Sequence, residues 1–194
     1  MQPYFYPYYG YFNLINEVDK FVFLDDVQFN RRGWVHRNKL YNYDKKLSWL
    51  TLPLKKKPRE TTFIKDIEFV PNVDEIFSQL IRKFPKINDL DQNIKKTMMD
   101  FEKASVNYLI DNLLMMSKVL RIKSKFFRSS EINIHKEKDF QNNIINLVKK
   151  LGGTHYINLP GGKHLYDEKK FNQNKLDLSF ISEDKRHYSI LECF

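Results

Sequence analysis

The chain has 194 residues, 42% of them apolar and 29% charged, with a net charge of +9. That suits one globular domain with a buried core. No apolar run reaches the roughly 18 residues of a membrane span, and no charged-then-apolar secretory start is visible, so a cytoplasmic protein is expected. The single cysteine, Cys193, excludes an internal disulfide framework and a cysteine-based zinc site. Of the 33 basic residues, 25 are lysine and 17 further residues are asparagine. That bias, with lysines scattered or in short runs such as Lys55-Lys56-Lys57, marks a solvated surface and disfavours nucleic acid as a partner.

In chain order, Gly10 to Glu17 reads as a short helix. Phe21 to Leu24 is an apolar run that fits a strand covered on both faces. Leu47 to Leu54 and Thr62 to Val70 read as two more strands. The middle is helical, over about 73–120. Val73, Ile76, Phe77, Leu80, Ile81 and Phe84 recur at helical spacing and Pro85 ends the run. A longer stripe follows from Asp91 to about Leu120. A strand is expected near Lys125 to Ser130. Asp139 caps a helix carrying Ile144, Leu147, Val148 and Leu151, closed by Gly152-Gly153. A strand at Thr154 to Asn158, the turn Leu159 to Gly162, and a last strand at about Leu176 to Ile181 complete the chain. The alternation predicts a single α/β domain, with a mostly parallel sheet flanked by helices.

Two N-terminal clusters carry most of the chemistry. Residues 1–12 hold five of the eleven tyrosines and two prolines, so the backbone is extended and loop-like. Aromatics with polar tips suit a sugar or a base, and equally a lid packed on the sheet. Residues 25–38 bring together Asp25, Asp26, Gln28, Arg31, Arg32, Trp34, His36, Arg37 and Asn38. In a parallel sheet, ligands bind beyond the carboxyl ends of the strands, where Asp25 and Asp26 are placed. Adjacent strand residues point to opposite faces, so these two are not expected to act as a carboxylate pair. Arg31, Arg32 and Arg37 offer forked donors for phosphate or carboxylate. Ser130 follows a strand, as does the glycine pair at Gly161. Phosphate-loop, dinucleotide-binding and nucleophile-elbow motifs are absent, and the five histidines lack metal-ligand spacing.

The strings Gln2-Pro3-Tyr4-Phe5-Tyr6-Pro7, Gly10-Tyr11-Phe12, Asp25-Asp26-Val27-Gln28, Arg32-Gly33-Trp34 and Arg37-Asn38 resemble the WbqC-like protein family. Fainter echoes run through Leu50-Thr51-Leu52-Pro53, Ser129-Ser130, Tyr156, Gly161-Gly162 and Ser189-Ile190-Leu191. The resemblance implies a bacterial protein of O-antigen or surface-polysaccharide biosynthesis. It would transfer an acyl or aminoacyl (glycyl-like) group to a nucleotide-linked amino sugar. On that reading Asp26 takes the proton of the acceptor amine or holds it in line, with Asp25 and His36 beside it. Arg31 or Arg37 binds the diphosphate, while Trp34 and Tyr4 stack on sugar or base. Gln2, Gln28, Asn38, Ser130 and Gly161 complete the binding surface. Acyl donor and cofactor stay open. The competing reading is a non-catalytic sugar- or nucleotide-binding accessory of the same pathway.

Overall fold

A computed structural model describes residues 1–58 and 60–194. The first helix, α1 (Tyr9–Asn16), buries Tyr11, Phe12, Leu14 and Ile15. It leads into β1 (Lys20–Phe23), a strand of four residues. β1 pairs in parallel with β4 (Lys125–Arg128), Phe21 lying opposite Phe126. A second parallel pair joins β5 (His155–Asn158) to β6 (Asp177–Phe180). The remaining pair is an antiparallel hairpin, β2 (Arg37–Tyr41) with β3 (Leu47–Thr51).

Side-chain alternation shows how the two parallel pairs relate. Phe21 and Phe23 of β1, Phe126 of β4 and Ile157 of β5 all belong to the larger core, with the aromatic N-terminus and the middle helices. Val22 of β1, Tyr156 of β5 and Leu178 of β6 pack into a second, smaller core around Ile144, Leu147 and Phe171. Neighbouring strand residues point to opposite faces. The two pairs therefore share the same two faces and form one layer with a gap between β1 and β5. Helices cover both sides, which is the α/β arrangement expected from the sequence.

The middle helices are α2 (Val73–Ile81), α3 (Lys86–Asp89), α4 (Gln92–Met98) and α5 (Ser105–Val119). The stripe from Asp91 is thus two helices, not one. Asp91 caps the first by accepting from Asn93 N at 2.7 Å. Phe101 in the break remains buried against Phe77 and Tyr108. α6 (Phe140–Lys150) starts at Asp139, whose carboxylate accepts from Gln141 N at 2.9 Å. Leu151, Gly152 at φ 67° and Gly153 turn the chain into β5, as glycine at that site allows.

Three expectations need correction. Thr62 to Val70 is not a strand. Phe63 and Phe69 make single bridges, to Gln28 and Leu54, around a 3-10 turn at Ile64–Asp66. Its alternation is incomplete, and burial of Ile64 and Ile67 outweighs ladder formation. Conversely, Arg37 and Asn38 begin strand β2 rather than end a loop. Asn38 faces inward, so a polar residue conceals the alternation. Finally, α7 (Glu168–Gln173) went unread, although Asp167 caps it by accepting from Lys169 N at 3.0 Å.

Candidate functional site

The gap in the layer opens, at the carboxyl ends of β1 and β5, into a cleft of about 800 Å³. This is where the crevice rule for parallel sheets places a ligand, and its volume is of ligand-pocket size. The N-terminal loop supplies one wall through Gln2, Tyr4 and Tyr8. The turn after β5 supplies another through Asn158, Gly161 and Tyr166. Trp34, Asn38 and Lys39 come from the hairpin side, and His187 from the C-terminal segment.

Tyrosines dominate the polar chemistry. Burial raises the pKa of Tyr4, and among the described residues its hydroxyl has no protein partner. Burial, then the Asp184 carboxylate, raises that of Tyr8. Opposite them, Tyr156 and Tyr166 are hydrogen-bonded through their hydroxyls at 3.0 Å. Asn158 Nδ2 donates to both hydroxyls, each at 3.0 Å. Its Oδ1 accepts from Leu159 N at 2.7 Å, and both Nδ2 protons are used. Of the two phenolic protons, one serves the Tyr156–Tyr166 bond. The other is left to donate to a ligand. Burial raises the pKa of both, so they are neutral donors rather than bases near pH 7.

Five sequence candidates border this cleft: Gln2, Tyr4, Trp34, Asn38 and Gly161. Of these, Asn38 is committed internally. Its amide donates to Phe5 O at 3.3 Å and Tyr6 O at 2.6 Å, and its Oδ1 accepts from Lys39 N at 2.7 Å. Tyr6 has φ 40°, a left-handed conformation costly for a bulky residue. Asn38, with Ser189 Oγ at 2.8 Å from the same carbonyl, holds that turn. Gly161 stands in open space, since a Cβ there would meet nothing within 4 Å.

Asp25, Asp26 and Ser130 gather elsewhere, at the seam between the ends of β1 and β4. Asp25 is fully buried. It accepts from Ser130 Oγ at 2.7 Å, Ser130 N at 3.0 Å, and Arg128 Nε and Nη2 at 2.9 and 2.8 Å, while its main-chain N–H donates to Ser129 Oγ at 3.2 Å. Burial pushes its pKa up, but the Ser130 bonds and the Arg128 guanidinium outweigh this and hold it below the usual carboxylate range. The expectation that Asp25 and Asp26 point apart fails. β1 ends at Phe23, and Asp25 N turns back to Phe23 O at 3.1 Å, so strand alternation no longer applies. Both carboxylates meet the Ser129 hydroxyl, and Asp26 also pairs with Lys136.

The remaining candidates lie outside the cleft lining. Arg37 Nε donates to Gly33 O at 3.0 Å, its Nη2 to Arg32 O, and its guanidinium rests 4.2 Å from the Trp49 ring. Arg31 Nη2 donates to Lys55 O at 2.6 Å. Gln28 bridges Phe63 through its backbone. His36 is buried beside Phe29, with no partner for Nδ1. Burial, aided by Arg31 and Arg37, lowers its pKa to about 4, so it is neutral near pH 7. Sequence reasoning missed Lys39, Tyr166 and Phe140 and set His187 aside as a surface residue. Lys39 lies hidden in a strand not foreseen, and Tyr166 shows only as a second tyrosine beyond the glycine turn. Among the described residues there is no cluster of metal-ligating side chains and no helix long and apolar enough to cross a membrane.

Comparison with known proteins agrees with the sequence resemblance. The model of the WbqC-like protein family matches residues 2–193. The chain is also similar to an uncharacterized protein, Rv1507c, of Mycobacterium tuberculosis (strain ATCC 25618 / H37Rv). The identity is 23% over 194 residues, covering 95% of this chain and 81% of that protein. No solved structure matches.

Proposed function

The chain belongs to the WbqC-like protein family, and from that premise we propose that its cleft binds a nucleotide-linked amino sugar in surface-polysaccharide biosynthesis. The observation that carries this reading is the lining of the cleft. Tyr4, Tyr8 and Trp34 line it together with the neutral phenols Tyr156 and Tyr166 and with Lys39, whose ammonium rests 5.1 Å from the Trp49 ring. Flat apolar surfaces suit a pyranose or a base. Fixed donors suit sugar hydroxyls, and a cation suits a phosphate.

The reaction we infer is transfer of an acyl or aminoacyl group to the sugar amine. The sugar ammonium must lose a proton to free the lone pair that attacks the acyl carbonyl, and the carrier of the acyl donor, such as the CoA thiol, leaves as the amide forms. Asp26 is the acceptor this reading uses, because the four donors from Ser130 and Arg128 saturate Asp25. One observation favours the accessory reading instead: neither carboxylate lines the cleft, and Asp26 is already engaged by Ser129 and Lys136.

Calorimetry with UDP- and dTDP-linked amino sugars tests binding. Gly161→Leu adds bulk to the wall at a position where a Cβ meets nothing within 4 Å. It should weaken binding by about tenfold or more, equivalent to 1.4 kcal/mol, at an unchanged thermal midpoint. Equal affinity for wild type and variant would remove the cleft from the site. Mass gain of the sugar in the presence of acyl-CoA or aminoacyl donors, lost in Asp26→Asn, separates the enzyme from the accessory.

A further inference from the structure

The cleft has two unlike ends. One is built on the larger core: Tyr4 and Tyr8 pack there, and the hairpin that bears Lys39 packs on the same core through Leu40 and Leu50. The other is built on the smaller core, which supplies Leu24, Tyr156 and Tyr166 to the lining. Phe140, the first residue of α6, and Leu165, next to Tyr166, complete this second end. Among the described residues, no aspartate or glutamate lines either end.

Phe140 and Leu165 are large apolar side chains, yet they are 42% and 56% exposed. The chain beside them is fixed. Gln141 is buried, and its Nε2 donates to Asp167 O at 2.9 Å while its Oε1 accepts from Asp167 N at 3.0 Å. This reciprocal pair ties the start of α6 to the segment after Leu165. The two apolar side chains therefore stand at a cavity wall and keep surface that a ligand can cover.

Charge decides which ligand suits this end. An ammonium placed here loses its water without gaining a carboxylate, which is costly. An uncharged aliphatic chain has no such penalty, and each methylene it buries is worth about fourfold in affinity. The spare phenolic proton of the Tyr156–Tyr166 pair belongs to the same end. An acyl carbonyl oxygen is a fitting acceptor for it, and the more so as that oxygen becomes negative.

We propose that the Phe140–Leu165 end of the cleft is an acyl subsite, and that the group joined to the sugar nitrogen is an uncharged aliphatic acyl chain, not an aminoacyl group. The proposal rests on the acyl-transfer reading above and narrows it. The chain lies against Phe140 and Leu165, and its carbonyl oxygen accepts from the phenolic pair. With a thioester donor, the N–C bond forms as the C–S bond breaks. The thiolate leaves with the electron pair and takes the proton that the newly acylated nitrogen gives up.

Calorimetry on the whole chain tests this with UDP- and dTDP-linked amino sugars whose nitrogen bears either a butyryl or a β-alanyl group. The two groups have the same shape and differ in a terminal methyl against a terminal ammonium. The butyryl sugar should bind about tenfold tighter or more. Leu165→Asp should cancel that preference by giving the ammonium a carboxylate, with the thermal midpoint unchanged because the position is exposed. Equal affinities in the wild type, or tighter binding of the β-alanyl sugar, would overturn the proposal. So would a preference that persists in full in Leu165→Asp, since the chain would then sit elsewhere. Tighter binding of farnesyl diphosphate than of the butyryl sugar would assign the apolar end to a lipid carrier and overturn it as well. A different result, no binding of the acylated sugars or of their free amines, would remove the nucleotide-sugar reading itself and the proposal with it.

Discussion

The seam at the ends of β1 and β4 and the cleft at the ends of β1 and β5 lie side by side and use polar groups in opposite ways. At the seam every strong group is engaged. Asp25 takes four donors from Ser130 and Arg128, Asp26 takes Ser129 and Lys136, and Arg128 spans Asp25 and Asn107. In the cleft, Tyr4 has an uncommitted hydroxyl among the described residues, and one phenolic proton of the Tyr156–Tyr166 pair is left over. The side chains of Asp25, Asp26, Arg31 and Arg37 are thus tied to other parts of the fold. The quieter aromatic surface is what remains available to a ligand. Saturated buried networks stabilise and specify, and unsatisfied groups at a cavity wall recognise.

Asp25→Ala is the strongest way to break this contrast. It leaves Arg128 and the Ser130 amide without their buried acceptor and should cost about 3–5 kcal/mol, as for removal of one partner of a buried ion pair. Denaturant unfolding reads the loss. Ligand affinity of the folded fraction should stay near wild type. Retained stability with lost turnover would instead make Asp25 catalytic.

The pH dependence of His36 comes next. Its pKa is depressed to about 4 in the folded chain, from 6.5. Above pH 6.5 the ring is neutral in both states and costs nothing. As pH falls from 6.5 toward 4, the unfolded chain binds a proton that the folded chain refuses, so stability declines. The loss is roughly 3 kcal/mol at most, from the shift at 1.36 kcal/mol per unit. It should be absent in His36→Gln, compared by chemical denaturation at pH 4 and pH 7. A parallel decline in both proteins would assign the effect to other groups.

Tyr4→Phe sharpens the comparison from the cleft side. It removes a hydroxyl with no protein partner, so the thermal midpoint should not move. Nucleotide-sugar affinity should fall by up to about tenfold, the net worth of one hydrogen bond. A falling midpoint with unchanged affinity would make Tyr4 a packing residue. The smallest effect is expected at the rim of the seam. Lys136 is 59% exposed, so Lys136→Ala should cost about 0.2–1 kcal/mol, typical of an exposed ion pair. A larger loss would mean that Asp26 depends on Lys136 to stay in place. In that case the seam and the 134–140 segment act as one unit.

Much of the architecture was legible in local pattern. The apolar run at Phe21–Leu24, the helical stripe from Val73, the Asp139 cap and the Gly152-Gly153 stop lie where the sequence puts them. Periodicity and capping depend on residues a few positions apart, and these signals survive in a single sequence. The cleft does lie at strand ends, where the crevice rule puts a ligand, but Asp25 and Asp26, which the sequence places in that crevice, are not among its lining residues. Tertiary structure alone decided how the functional-looking residues are spent. Asp25 meets Ser130 from 105 residues away, and the φ of Tyr6 depends on Asn38 and on Ser189, 183 residues on. Whether Thr62–Val70 pairs, whether the lysine of β2 reaches the cleft, and whether β1 and β5 touch were likewise settled by packing. A residue type states which bonds a side chain can make. Which of them it makes depends on partners that only the folded chain brings within 3 Å.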